Sequence, residues 1–183
     1  MKKVLIAYGT TEGQTEKIAD VIADSLRSRG LDATMLDLRD SQDEAPDAYD
    51  GVIVGGSIHV GKHDKRVVDF VEKNRGTLTS RPSAFFSVSL DAHSATGEAE
   101  KYVDEFEEQT GWRPAKVALF AGALLFTQYG FVKRLMMKRI AAGKPGTLGT
   151  LGTDTSRDYV YTEWDGVRRF AEDFAAGLSA PGT

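Results

Sequence analysis

Short apolar runs separated by helical patterns are the feature that most constrains the fold of this chain. Apolar runs that end at turn-forming residues indicate β-strands, and the chain contains five, at Val4–Tyr8, Ala33–Leu38, Val52–Val54, Ala84–Leu90 and Val117–Leu125. Alternation of strands with helices predicts an α/β fold with a doubly wound parallel sheet and helices on both faces. Ligands of such sheets bind beyond the carboxyl ends of the strands.

The helices are predicted from the spacing of apolar residues. In the first helix, Ile18, Ile22 and Leu26 form one apolar face, and Gly30 is expected to end the helix. The last helix is expected to begin at Thr162 as N-cap, with an acidic residue three positions later that approximates a capping box. Two further helices are predicted near Lys65–Asn74 and Glu98–Gln109.

The composition excludes several kinds of redox site. The chain contains no cysteine, so disulfides, iron–sulfur ligation and thiol chemistry are excluded, and a redox role needs an organic cofactor or a metal with other ligands. The three histidines, His59, His63 and His93, lack a metal-ligand spacing, so we expect no metal site.

The length of 183 residues fits one compact domain, which we place at residues 1–178, followed by a disordered tail at 179–183. The lysines at the start of the chain do not lead into a signal peptide. The most apolar stretch, Val117–Phe126, is too short to span a bilayer as a helix. These features predict a cytoplasmic protein.

The stretch AYGTTEGQTEKIAD joins the first strand to the first helix and has the character of an anion-binding loop. Its segment Thr10–Thr15 carries three threonine hydroxyls and no basic residue, and its N–H groups converge on a helix N-terminus, which attracts phosphate. Gly13 is able to adopt the positive φ that folds successive N–H groups inward. The absence of G-K-[ST] and G-x-G-x-x-G favours a small phosphate ester, and an ordinary strand-to-helix connection is the alternative.

A basic segment lies in the second half of an otherwise acidic chain. Between Glu108 and Asp154 there are seven Lys or Arg residues and no acid, although the whole chain has a net charge of −4. Within this segment, FVKRLMMKRI predicts an amphipathic helix with apolar Phe131, Val132, Leu135, Met136 and Ile140 opposite Lys133, Arg134 and Lys138, while Arg139 and Met137 interrupt the two faces. Such a helix binds an anionic membrane or anionic substrate groups, and the alternatives are a solvated helix or one packed on the domain.

Several motifs resemble those of a known family. The stretch IAYGTTEGQTEKIADVI resembles the flavodoxin signature and matches it at Tyr8, Thr10, Gly13, Thr15 and Ala19. Four more stretches, GGSIHVGKH, RPSAFFSVSL, GWRPAKVALFAGAL and GTDTSRDYVYTEWDGVRRFA, are similar to the flavodoxin-like, quinone-dependent protoporphyrinogen IX dehydrogenase family. The similarity runs nearly end to end. The loop Gly143–Thr153 is longer than in that family.

The resemblance implies a five-stranded sheet in the order 2-1-3-4-5 with a basic helical insertion at about residues 124–153, and FMN as the cofactor. It places the phosphate and the flavin ring on three loops, made of Thr10, Thr11, Glu12, Gly13, Gln14 and Thr15; Ser57, Ile58, His59, Val60 and Gly61; and Ser87, Val88, Ser89, Leu90 and Asp91. Gly55, Gly56 and Gly61 are expected to allow close approach of a flat ring. His59 and His63 are candidate proton acceptors, and no general base is assigned.

The family reaction is oxidation of protoporphyrinogen IX to protoporphyrin IX, a step of heme biosynthesis, with electrons passed to a membrane quinone. The resemblance therefore gives the basic helix a purpose, because a quinone reaction needs access to the membrane. We expect Phe131, Lys133, Arg134, Leu135, Lys138 and Arg139 to contact an anionic membrane or the substrate propionates, at the inner face of the cell membrane. Alternative functions are an NAD(P)H:quinone reductase and a soluble flavodoxin electron carrier. No nucleic-acid partner is expected, and a homo-oligomer is left open.

Overall fold

The centre of the protein is a parallel β-sheet. The computed structural model describes residues 1–41, 43–93, 96–143 and 154–179. Its strands, in chain order, are β1 (Lys3–Gly9), β2 (Asp32–Asp37), β3 (Gly51–His59), β4 (Lys62–His63), β5 (Ser83–Ser89), β6 (Lys116–Ala121), β7 (Ala123–Leu124) and β8 (Tyr159–Val160). The five long strands lie in the order β2-β1-β3-β5-β6 and pair in parallel. The predicted flavodoxin-like α/β fold is confirmed.

Helices cover both faces of this sheet. The helices of the protein are α1 (Gln14–Ser28), α2 (Lys65–Ser80), α3 (Glu98–Thr110), α4 (Phe131–Gly143) and α5 (Trp164–Ser179). Helix α4 does not cover a face but packs in a separate apolar cluster with Phe126 and Tyr129. Helices α1 and α5 pack with Val4, Ile6 and their neighbours in one apolar core, whereas α2 and α3 pack with Leu5 and Ala7 in a second core. Successive residues of β1 enter different cores because strand side chains alternate between the two faces.

Helix α1 forms as its sequence pattern predicts. Its apolar face at Ile18, Ile22 and Leu26 is fully buried against the sheet. The chain leaves the helix through Gly30, whose φ is 78°, and the N–H of Leu31 donates to the carbonyl of Leu26. A left-handed glycine after the last turn is a common helix stop because it carries no Cβ.

The last long strand is shorter than predicted. The apolar run Val117–Leu125 was expected to form one strand, but β6 ends at Ala121 and the run is interrupted at Gly122. The carbonyl of Gly122 accepts from the N–H of Tyr161, and β7 then pairs with β8 in an antiparallel ladder. The sequence did not reveal this pairing, because strands of two residues carry too little periodicity.

The start of the last helix also differs from the prediction. Helix α5 begins at Trp164 rather than directly after Thr162. Thr162 is buried, and its hydroxyl donates to the carbonyl of Ala121 at 2.7 Å and accepts from Nε2 of Gln14 at 2.9 Å. Thr162 therefore ties α1 to the end of β6 and does not cap α5. At the other end of α5, Ser179 belongs to the helix, although it was expected to start the tail. Residues 180–183 and most of the Gly143–Thr153 loop lie outside the described residues.

Candidate functional site

A cavity of about 260 Å³ opens at the carboxyl-terminal edge of the sheet. Three loops that the sequence analysis singled out meet there, because parallel strands end at the same edge. Their lining residues are Thr10, Thr11, Glu12, Gln14 and Thr15; Ser57, Ile58, His59, Val60 and Gly61; and Val88, Ser89, Leu90 and Asp91. Tyr102, Gly122, Ala123, Met136, Met137 and Ile140 complete the wall.

The loop after β1 has the conformation expected of an anion-binding nest. Gly13 has a φ of 89°, which confirms the predicted positive value, and its N–H donates to Oγ1 of Thr10 at 2.9 Å. Helix α1 begins at the next residue, and in the described part of the chain no side chain caps its first N–H groups. Thr10 and Thr15 are almost fully buried. Open N–H groups at a helix N-terminus provide the donors that a phosphate needs.

Two buried polar atoms at this cavity lack partners. Among the described residues, Oε1 of Gln14 and Oγ of Ser57 are buried without a hydrogen bond. Buried polar atoms are normally satisfied, so unpaired ones indicate a missing partner. Both residues line the cavity, and a ligand chain that bears hydroxyl groups would pair with both atoms.

Two cations from distant segments approach the loop, which itself contains no basic residue. Nη2 of Arg66 lies 3.4 Å from the carbonyl oxygen of Thr10 and also binds Asp64. Nζ of Lys133 lies 2.6 Å from Oε1 of Glu12. Each cation is therefore paired with a carboxylate, and the sequence does not reveal that either lies near the loop, because both are distant from it along the chain.

The loop after β3 is a tight hairpin. Strand β3 extends to His59 and pairs antiparallel with β4, so that Val60 and Gly61 alone form the turn, with φ values of 49° and 75°. Two successive positive φ values are typical of the turn that connects two-residue hairpins. A β-branched residue in this conformation is strained by about 1–3 kcal/mol. The side chain of Val60 is 86% exposed, so no packing compensates this strain.

His63 faces the interior and not the cavity. Its ring packs against Phe85 and Phe106, and its Nε2 lies 2.8 Å from Oγ of Ser87. Burial lowers the pKa of His63 to about 4, so the imidazole is neutral near pH 7. Neither His63 nor Ser87 lines the cavity, which removes His63 as a proton acceptor there and leaves Ser87 turned away from the predicted ring position.

The glycines at the end of β3 serve internal packing. A Cβ added to Gly55 would lie 2.0 Å from Cζ of Phe86, and one added to Gly56 would lie 3.4 Å from His63 and Val67. Packing against Phe86 therefore requires glycine at position 55, whereas a Cβ at position 56 would make ordinary contacts, and neither glycine lines the cavity where the flat ring was expected. Gly61 has no atom near its missing Cβ, and its positive φ accounts for the glycine instead.

Asp91 provides a buried carboxylate at the opposite side of the cavity. It accepts a hydrogen bond from the Tyr102 hydroxyl at 3.2 Å. Burial, together with the charge of Asp91, raises the pKa of Tyr102 to about 12, so this hydroxyl remains a donor at neutral pH. Tyr102 also lines the cavity and was not singled out from the sequence, since a tyrosine on an amphipathic helix carries no distinguishing signal.

Helix α4 packs its methionines on the cavity and keeps only part of its predicted outer face exposed. Met136, Met137 and Ile140 line the cavity, so Met137 does not belong to the basic side of the helix. Of the cations expected to face outward, Lys133 binds Glu12 and Arg134 donates to the carbonyls of Phe126 and Tyr129, whereas Lys138 and Arg139 are exposed.

The chain is similar to proteins of a known family over nearly its whole length. Residues 5–148 match the family described as Flavodoxin domain. A protein of Escherichia coli K12 named protoporphyrinogen IX dehydrogenase (quinone) is 35% identical over 176 residues, which cover 94% of each chain. A Leishmania major protein of the same name is 35% identical over 178 residues, which cover 95% of this chain and 75% of that one. The chain belongs to the flavodoxin-like protoporphyrinogen IX dehydrogenase family.

Membership of this flavodoxin-like family implies a flavin cofactor, and the solved structures agree with the fold. Oxidised Flavodoxin 1 from Bacillus cereus superimposes with a TM-score of 0.57 at 17% identity and covers 98% of this chain and 99% of its own. At this identity the likeness shows the fold alone. Within the described ranges, no helix is long and apolar enough to cross a membrane, and no group of His, Asp and Glu residues has the geometry of a metal site.

Proposed function

We propose that this protein uses FMN to oxidise protoporphyrinogen IX to protoporphyrin IX and passes the electrons to a membrane quinone. The observation that carries the proposal is the 35% identity to relatives of that name over nearly the whole chain. A flavodoxin carrier and a nicotinamide-dependent quinone reductase share the fold, so fold alone does not distinguish the three functions.

The described residues fit FMN. The nest at Gly13 and the open N-terminus of α1 suit one phosphate group, and the orphaned atoms of Gln14 and Ser57 suit the hydroxyls of a ribityl chain. The loops at residues 57–61 and 88–91 would flank the ring. When bound, the flavin supplies the two-electron chemistry, while the protein supplies binding, orientation and electrostatics.

Side chains of this chain govern the surroundings of the reacting centre. Met136, Met137 and Ile140 form an apolar wall that offers a surface to a flat apolar substrate. We assign proton uptake from the substrate to His59 and Asp91 at the cavity, because Glu12, which also lines it, is paired with Lys133 and Tyr129. The Tyr102 hydroxyl orients the Asp91 carboxylate.

We further propose that the protein is cytoplasmic and attaches to the inner face of the cell membrane through α4. Phe131 and Val132 are 82% and 79% exposed, and Leu135 is exposed on the same helix. Lys138 and Arg139 supply positive charge beside this apolar surface. Exposed apolar residues flanked by cations are typical of helices that lie on anionic membranes.

Anaerobic rapid mixing of the flavin-loaded protein with candidate reductants tests the proposed reaction. Protoporphyrinogen IX is expected to bleach the flavin absorbance, and a quinone is expected to restore it. Faster bleaching by NADH or NADPH would instead support the quinone reductase. Release of the cofactor by denaturation is expected to yield FMN, whereas recovery of FAD would contradict the single phosphate site.

A further inference from the structure

Glu12 places a negative charge within the loop proposed to hold the phosphate. It lies between Thr11 and the nest residue Gly13, and its side chain lines the cavity. A phosphate monoester carries a charge of about −1.5 to −2 near pH 7. An uncompensated carboxylate at this position would repel the phosphate, because like charges at short range and partial burial interact strongly.

Two residues of the insertion compensate this charge. Nζ of Lys133 lies 2.6 Å from Oε1 of Glu12, and the hydroxyl of Tyr129 donates to Oε2 at 2.7 Å. The same Nζ lies 4.7 Å from the centre of the Tyr129 ring, which adds a cation–π contact. The Lys133 and Glu12 side chains are 34% and 24% exposed, so water screens this pair less than a fully exposed one.

Tyr129 is a fixed member of this cluster. It is buried, and its hydroxyl also accepts from the N–H of Leu125 at 3.2 Å. Burial and the hydrogen bond to Glu12 raise the pKa of Tyr129 above its usual range, so the hydroxyl stays protonated and donates to the carboxylate. Both oxygens of Glu12 are thus occupied by donors, one from α4 and one from the segment that leads into it.

We propose that Lys133 controls the affinity of the loop for the FMN phosphate by neutralising Glu12, which couples the docking of α4 to cofactor binding. The inference rests on the proposed function, in which the phosphate occupies residues 10–15. Coupling is reciprocal, so FMN also stabilises the docked position of α4 and completes the wall formed by Met136 and Ile140. Lys133 acts through Glu12 and is a positioning residue.

Arg134 makes it possible to separate this role from simple anchoring. It is the neighbour of Lys133 on α4 and holds the helix to the preceding turn through the carbonyls of Phe126 and Tyr129. Arg134→Met removes this anchor but keeps the cation bound to Glu12, so it is expected to weaken FMN binding less than Lys133→Met does. Lys138→Met removes an exposed cation of the same helix and serves as the matched control for net charge.

The test measures binding of FMN and of riboflavin, which lacks the phosphate, to the apoproteins by quenching of flavin fluorescence. Lys133→Met is expected to weaken FMN about tenfold, equal to about 1.4 kcal/mol, and riboflavin less than about twofold. The loss of FMN affinity in Lys133→Met should be smaller in 1 M salt, where the Debye length falls to about 3 Å. The double variant Glu12→Gln with Lys133→Met is expected to bind FMN within about twofold of Glu12→Gln alone.

The outcomes separate the inference from the proposed function. The wild-type protein is expected to prefer FMN over riboflavin. If Lys133→Met then loses affinity for both ligands equally, Lys133 only anchors α4 and the inference is overturned. Unchanged FMN affinity in Lys133→Met, or a loss as large in Lys138→Met, would overturn it as well. A wild-type protein without preference for FMN would refute the phosphate position itself, and the inference with it.

Discussion

Substitution of Gly13 by alanine tests whether the nest conformation serves cofactor binding. The residue has a φ of 89°, and no atom lies within 4 Å of the position that a Cβ would occupy. The cost of Gly13→Ala therefore comes from backbone strain and not from a steric clash. Gly30 offers a matched control, because its φ is 78° and its surroundings are equally open, but it lies at the other end of α1, away from the cavity.

The free-energy cost of Gly13→Ala and of Gly30→Ala is the difference between two opposing contributions. An alanine in the left-handed region is strained by about 1–2 kcal/mol. The lower entropy of the unfolded chain returns about 0.4–1 kcal/mol. The net loss is about 1 kcal/mol for either substitution, which corresponds to a factor of about five in an equilibrium constant. Gly13→Val should lose more than alanine, because a β-branched side chain is strongly disfavoured at positive φ.

The loss is expected to appear in protein stability for Gly30→Ala and in FMN affinity for Gly13→Ala. Gly30→Ala should lower the free energy of unfolding of the apoprotein in urea and leave FMN affinity unchanged. In Gly13→Ala the free loop relaxes to relieve strain, and FMN must restore the nest, so the loss should appear as about fivefold weaker FMN binding. If Gly13→Ala binds FMN as tightly as the wild-type protein, the nest does not hold the phosphate and the reasoning is refuted.

Three further predictions address the core, the partly buried His63 and the membrane. Gly55→Ala should lower the free energy of unfolding by about 1–3 kcal/mol, because its Cβ would lie 2.0 Å from Phe86. His63 has a pKa lowered to about 4 in the folded state, so the unfolded chain binds its proton first as pH falls below about 6.5, and stability to urea should fall by about 2–3 kcal/mol between pH 7.5 and 4.5. Lys138→Glu combined with Arg139→Glu should weaken sedimentation with anionic vesicles at least tenfold, at about 1 kcal/mol per cation removed, with unchanged FMN affinity.

Each of these predictions has a control on the same molecule. Gly76→Ala, on the open side of α2, should raise rather than lower stability by about 0.5–1 kcal/mol. In His63→Gln the loss of stability between pH 7.5 and 4.5 should disappear. If the loss seen in the wild-type protein persists in this variant, it arises from other titratable groups. Lys101→Glu, exposed on α3, should leave vesicle binding intact, and an equal loss there would reduce the membrane contact to net charge.

Reversal of all four cations of α4 is not a clean membrane test. The sequence pattern places Lys133, Arg134 and Lys138 on one basic face, and Arg139 interrupts the apolar face. In the folded protein the first two bind Glu12 and backbone carbonyls, so their reversal would disturb the cavity as well as the surface. The vesicle experiment therefore uses Lys138 and Arg139 alone.

The local pattern of apolar and polar residues determined much of the fold. The five main strands and α1 follow from apolar periodicity, because each element buries the face that its own residues define. The positive φ of Gly13 follows from a glycine between a strand and a helix. The three loops meet because parallel strands bring their carboxyl ends to one edge of the sheet.

Tertiary structure decided which side chains from distant segments join the cavity and which neighbouring side chains turn away from it. Glu12 and Tyr129 are 117 positions apart, and Gln14 and Thr162 are 148 apart, so no local pattern records these pairs. Whether His63 faces the ligand or the core depends on the two-residue turn that sets its register with Ile58. The need for glycine at position 55 depends on the ring of Phe86 from the neighbouring strand. Contacts of this kind arise only when distant segments pack together, since the free energy of each depends on both partners at once.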